Sequence, residues 1–217
     1  GKKGYMIIKI DLEKAYDRMN WEFVGKVLAE IGIDEKLWRV IMGCISSTKM
    51  AIMWNGSRRD GFDPSKGLRQ GDPLSPYLFV LGMEKLTHLI VDYINVGKWK
   101  PFKLGRHGMA ISHLLFADDL LLVCEADLGQ MSLVLEVLEK FGVVSGQKVN
   151  ANKTSIFFSK NVERNVQNEI YMLSGFKRME ELGRYLGAYL NKGRGNNRRF
   201  QHLLDKMQGK LSSWKRQ

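Results

Sequence analysis

HLLFADDLLLV, residues 113–123, sets two adjacent aspartates inside an otherwise apolar run. A carboxylate buried without a partner costs several kcal/mol or takes up a proton. Asp118 and Asp119 are therefore poor residues for the middle of a core strand. Aspartate tolerates turn dihedrals and hydrogen-bonds its own backbone. The run reads as two apolar strands joined at a tip that carries both aspartates, with Phe116 and the flanking leucines as anchors. A plain turn and a chemical site both satisfy this pattern, and the rest of the chain has to separate them.

Outward from the hairpin, YMIIKID (5–11) is rich in Ile and ends at Asp11, as a strand with an acidic end would. If this strand neighbours the hairpin, Asp11, Asp118 and Asp119 meet at one end of a sheet. Hard divalent cations want such a cluster. Mg²⁺ takes oxygen ligands, keeps several waters and is shared with substrate phosphates. Two such ions about 3.5–4 Å apart can activate an attacking oxygen and stabilise a leaving one. The metal charge also relieves the repulsion among the carboxylates.

The remaining elements mix strands and helices without βαβ alternation. Asn20 caps a helix over 20–32, with Phe23, Val24, Val27, Leu28 and Ile31 on one face and Gly32 at its end. A second helix starts at Asp34 and turns Leu37, Trp38, Ile41, Cys44 and Ile45 inward. Asn55-Gly56 between two extended runs (50–62) is a hairpin signal. A loop over 60–72 leads to a helix from Ser75 to about Ile94, with Ser75 as cap and Pro76 in its first position. Further on come a helix (128–142), a strand (152–159), a short hairpin (183–191) and a helix (196–215) with an apolar stripe and basic flanks. The fold class is α+β: an antiparallel sheet with helices packed on one face.

The 217 residues are 44% hydrophobic, enough for a core, and no apolar run is long enough to span a bilayer. Cys44 and Cys124 read as buried small residues, and the four histidines show no ligand spacing. The net charge is +11, and residues 192–217 hold eight basic side chains against Asp205 alone, a local +7. Such an end suits a polyanion, though a solvated surface has the same composition.

IIKIDLEKAYDRMNW (7–21), GLRQGDPLSPYLFVLGME (67–84) and LLFADD (114–119), in this order, closely resemble reverse transcriptases of non-LTR retrotransposons, the plant LINE-type branch above all. SGQKVNANKT (145–154) and RYLGAYL (184–190) resemble later segments of the same family, so the likeness covers almost the whole chain. The resemblance implies a polymerase palm over 1–182, followed by a primer-grip-like hairpin and a truncated helical thumb over 183–217. It implies RNA-directed DNA polymerase chemistry with two Mg²⁺ ions, replaceable by Mn²⁺, and an RNA template, a DNA primer and dNTPs as partners. Asp11 and Asp118 would be the principal metal ligands and Asp119 the third carboxylate, with the Leu12 carbonyl within reach of a metal. Tyr16 would lie under the incoming sugar and clash with a 2′-hydroxyl; an aromatic that simply packs is the alternative. Gln70 would contact the nucleotide, and Gly71 would permit a close backbone approach. Lys153 would neutralise or protonate departing pyrophosphate, unless it is an ordinary surface lysine. Arg69 has no assignment, Asp17 would brace the next helix and Asp72 would order the loop before Pro73. Arg198, Arg199 and Lys206 would meet template-primer phosphates.

The chain also departs from that family. The fingers before the first strand are absent, the thumb is short, and neither an endonuclease nor a Cys/His module accompanies the palm. With Gly as its first residue, the chain reads as a fragment of a longer polyprotein, inactive in isolation. Two other readings stay open. One is a remnant that folds and binds nucleic acid without polymerising. The other is a maturase-like relative, although RQGD at 69–72 differs from the PQGG usual there. No membrane partner is expected, and the compartment is open, with the nucleus the setting that the resemblance suggests.

Overall fold

The computed structural model describes residues 3–103, 105, 108–186 and 188–189. Alternation decides its central strand. β1 (Tyr5–Ile10) buries Met6, Ile8 and Ile10 on one face and leaves Tyr5, Ile7 and Lys9 on the other. After it come α1 (Ala15–Arg18), α2 (Trp21–Glu30), α3 (Glu35–Ser46), β2 (Met50–Trp54), β3 (Ser57–Phe62) and α4 (Ser75–Asn95). Then follow β4 (Phe102–Lys103), β5 (Ala110–Ile111), β6 (His113–Phe116), β7 (Asp119–Glu125), α5 (Leu128–Ser145), β8 (Ser155–Phe158), α6 (Arg164–Ser174) and β9 (Lys177–Met179). The last described elements are β10 (Arg184–Tyr185) and β11 (Ala188–Tyr189).

The main sheet has the order β6-β7-β1-β8-β9. β1 runs antiparallel to both β7 and β8, and β6 antiparallel to β7. One face of this sheet meets the helices. Met6, Ile8, Leu120, Leu122, Cys124 and Ile156 join a single buried cluster with Val24 and Leu28 of α2, Phe79 and Leu86 of α4, and Val134 and Val137 of α5. These positions recur at strand and helix periods, so burial of apolar surface, worth about 25 cal/mol per Å², drives the packing. The α+β expectation, helices on one face of an antiparallel sheet, holds.

Local signals hold in most places. The Asn20 side chain accepts from the Glu22 N–H, and the Asp34 side chain from the Lys36 N–H. Asn55 (φ 46) and Gly56 (φ 77) both take left-handed dihedrals, as a two-residue type I′ turn between twisted strands needs. Other details differ. Ser75 is the first helical residue and not the cap; Leu74 holds the cap position, and the Asp72 carboxylate accepts its N–H at 2.8 Å. Asp72 thus orders this loop, as expected. α5 runs on to Ser145 and ends at Gly146. Ile31, at the end of α2, is exposed, and so are Leu37 and Cys44, because α3 turns only Ile45 fully into the core and half-buries Trp38 and Ile41. α1, α6 and the β4–β5 pair are additions to the elements that the sequence predicts.

Residues 1–178 form one compact unit and residues 179–217 another. In the second, Arg184 pairs with Tyr189 and Tyr185 with Ala188, the short hairpin expected over 183–191. The helix expected over 196–215, with Arg198, Arg199 and Lys206, lies outside the described residues. No described helix is long and apolar enough to cross a membrane.

Candidate functional site

Antiparallel pairing brings the acidic residues to one end of the sheet. The β1–β7 ladder closes with Ile10 opposite Leu120, so Asp11 follows on β1 where Asp119 begins β7. In the β6–β7 hairpin, Phe116 pairs with Asp119 across a two-residue turn of Ala117 and Asp118. Asp118 alone is at the tip, therefore, and Asp119 belongs to the strand. Ala117 has φ 52, a left-handed conformation that costs a non-glycine residue roughly 1–2 kcal/mol. Asp118 and Asp119 are exposed and Asp11 is half-buried. Among the described residues, no three Asp, Glu, His or Cys side chains converge into a group that could hold a metal ion. The donor set still suits Mg²⁺ or Mn²⁺, which bind through one or two carboxylates and complete their shells with water and substrate phosphates.

Tyr16 sits in the one-turn helix α1, directly after Asp11–Lys14. Its ring stacks on Phe79 of α4, with centroids 4.6 Å apart and planes 10° from parallel. Burial pushes the phenol above its ordinary value, and the negative charge of Asp118 adds to the shift. Tyr16 and Asp118 are thus electrostatic neighbours, although 102 residues of sequence separate them by their numbers.

Two segments grip α1. On one side the Gly67 N–H donates to the Met19 carbonyl, the Leu68 N–H to the Tyr16 carbonyl, and the Trp21 indole N–H to the Gly67 carbonyl. On the other, the Asn20 N–H donates to the Ser145 carbonyl, Arg18 Nε to the Gly146 carbonyl and the buried Gln147 amide to the Ala15 carbonyl. Glu13 has Lys148 at 3.4 Å and Arg18 at 3.9 Å. Leu12 forms an isolated bridge with Val149.

Gln70 and Gly71 are exposed on the loop before α4. Gln70 lines a cavity of about 350 Å³ with Asp17, Trp21, Cys44, Lys66 and Arg69. Asp11, Asp118 and Asp119 do not line it. Gly71 has φ 89, but a side-chain carbon there would meet nothing within 4 Å. The close approach belongs to Gly67, where such a carbon would lie 2.8 Å from the Asp17 carbonyl oxygen. Lys153 is exposed, on a turn whose Asn150 N–H donates to the Asp11 carbonyl. Residue-by-residue reading misses Gly67, Phe79 and Trp21, the groups that hold this site in shape; only their place inside the quoted motifs pointed to them.

The model of the family described as reverse transcriptase (RNA-dependent DNA polymerase) matches residues 1–190. The chain belongs to the reverse transcriptase family. Among curated relatives of this reverse transcriptase domain, the Pol polyprotein of the type-1 retrotransposable element R2 of Popillia japonica is 29% identical over 154 residues. That match covers 70% of this chain and 21% of the relative. The Pol polyprotein of the type-2 retrotransposable element R2DM of Drosophila melanogaster is 30% identical over 149 residues, 68% of this chain and 13% of the relative. The reverse transcriptase chain thus spans about a fifth or less of these relatives. Apo telomerase from Candida Tropicalis, truncated from its C-terminal domain, superposes with a TM-score of 0.57 at 17% identity, over 76% of this chain and 32% of that one. That likeness speaks for the fold, a polymerase palm.

Proposed function

We propose that this chain is the palm of an RNA-directed DNA polymerase of a retrotransposable element and extends a DNA primer along an RNA template with dNTPs. The observation that carries the reading is that strand register sets Asp11, Asp118 and Asp119 at one sheet end, beside a Tyr16 phenol that feels the Asp118 charge. Asp11 and Asp118 are the residues that would hold divalent metal here, with Asp119 and the Leu12 carbonyl as further ligands. Bound Mg²⁺ supplies charge neutralisation at the α-phosphate and favours the deprotonated primer 3′-hydroxyl. Tyr16, backed by Phe79, excludes a 2′-hydroxyl; Gln70 and the Gly71 backbone meet the nucleotide from the loop before α4. Lys153 faces the pyrophosphate as it leaves. Arg198, Arg199 and Lys206 contribute phosphate contacts that are independent of sequence and sensitive to salt.

The test is primer extension on an RNA template with dNTPs and Mg²⁺. The chain alone is expected to be inactive; with fingers and thumb restored around it, the expected result is extension that falls about a hundredfold or more in Asp118→Asn. Extension that survives the substitution removes Asp118 from the metal site. A longer protein with fingers and thumb restored that binds template-primer without extending it favours the second reading, a folded nucleic-acid-binding remnant. The observation on that side is that the three carboxylates share the sheet end without closing into a three-ligand group.

A further inference from the structure

Pairing between β1 and the segment around β8 continues past the regular ladder, but with a change of register. Lys9 faces Ser155. Three residues further along the chain, beyond the end of β1, Leu12 faces Val149, six residues back, where an unbroken antiparallel ladder would present Asn152. The Glu13 N–H then donates to the Lys148 carbonyl at 2.8 Å. Three extra residues are therefore thrown out of the ladder as a turn, and Asp11 stands at its mouth.

The mouth is closed by specific bonds. The Asp11 N–H donates to Thr154 Oγ1 at 3.2 Å, and the Asp11 carbonyl accepts from the Asn150 N–H at 2.8 Å. The Asn150 carbonyl accepts from the N–H groups of Lys153 and Thr154, at 3.1 and 2.8 Å, so the turn is tied to itself. Thr154 is wholly buried, and its carbonyl accepts from the Lys177 N–H at 2.9 Å. Ala151, Asn152 and Lys153 are exposed at the outer end. A side-chain hydroxyl thus takes the place of a ladder carbonyl at the acidic residue that follows β1.

We propose that Thr154 is a positioning residue for Asp11. Its hydroxyl sets the peptide that carries the Asp11 carboxylate and holds that carboxylate in register with the turn bearing Lys153. The inference rests on the reading of Asp11 as a metal ligand. Valine has the shape of threonine without the acceptor, whereas serine keeps the acceptor and loses only a methyl group.

The experiment uses the full chain and two readouts: Mn²⁺ affinity from the electron paramagnetic resonance of free Mn²⁺, and hydrogen exchange at the Asp11 amide. Thr154→Val is expected to weaken Mn²⁺ binding about five- to tenfold, the weight of one hydrogen bond. It should also speed Asp11 exchange by about tenfold. Thr154→Ser should restore both to within about twofold of wild type. Asp11→Asn defines the loss of a ligand. If Asp11→Asn weakens Mn²⁺ binding and Thr154→Val changes neither readout, the positioning role is overturned. If Asp11→Asn leaves Mn²⁺ binding unchanged, the ligand reading falls and this inference with it. Should the valine variant fail to fold, Thr154→Ala against Thr154→Ser reads the same hydroxyl, and an unprotected Asp11 amide in the wild-type chain overturns the proposal directly.

Discussion

At Gly67 the backbone turns to φ 99 within 2.8 Å, at the β-carbon position, of the Asp17 carbonyl oxygen. Any side chain there meets two penalties, a left-handed backbone and a collision with main chain that the α1 hydrogen bonds hold in place. Gly71, four residues on, has φ 89 and open space. Gly67→Ala should therefore cost about 2–4 kcal/mol and Gly71→Ala about 1–2 kcal/mol. Urea unfolding midpoints measure both; equal losses would mean that the Asp17 contact is slack. The two glycines lie in one motif, and the sequence reading assigns the close approach to Gly71. Only the fold shows which of them meets another backbone.

Strand β6 makes the same point one level up. It lies at the edge of the sheet and leads into the Ala117–Asp118 turn. His113, half-buried on this strand, has its Nδ1 2.8 Å from Ser112 Oγ. Burial pushes its pKa below the ordinary 6.5, and the charge of Glu84 offsets part of the shift. The unfolded chain therefore takes up this proton first as pH falls. The His113 contribution to stability is complete above about pH 6.5 and declines below it, toward the folded pKa. Thermal unfolding between pH 7.5 and about 5.5 should show a falling melting temperature with a shallower slope in His113→Gln. Identical slopes would place the pH dependence elsewhere.

For the whole molecule, the two cysteines report how the layers close. Cys124 lies on the sheet face covered by helices, wholly buried, and burial raises its pKa far above the usual thiol range. Cys44 is exposed and lines the cavity with Gln70. A colorimetric disulfide reagent should titrate one thiol per native chain within minutes and the second only after unfolding. Labelling of Cys44→Ser at the wild-type rate would show that the assignment is reversed. Both cysteines read as buried from their apolar neighbours. Periodicity identifies the apolar face of α3, but not whether another layer reaches all of it.

The sequence by itself determined the parts whose causes are local. Alternation marks β1, Asn20 and Asp34 cap their helices, Asn55-Gly56 demands its turn, and five motifs in order establish the family. It also placed Asp11 and the Asp118–Asp119 pair at strand ends, since neither could be buried unpaired within a strand. Tertiary structure alone decided that Thr154 bonds Asp11 across 143 positions, that Phe79 backs Tyr16 and that Gly67 abuts Asp17. Capping, turn and periodic patterns act over a few residues, so they leave a signature in consecutive letters. A hydroxyl that meets a distant amide does so because two strands change register between Lys9 and Leu12, and that shift is a property of the paired chains rather than of either stretch alone.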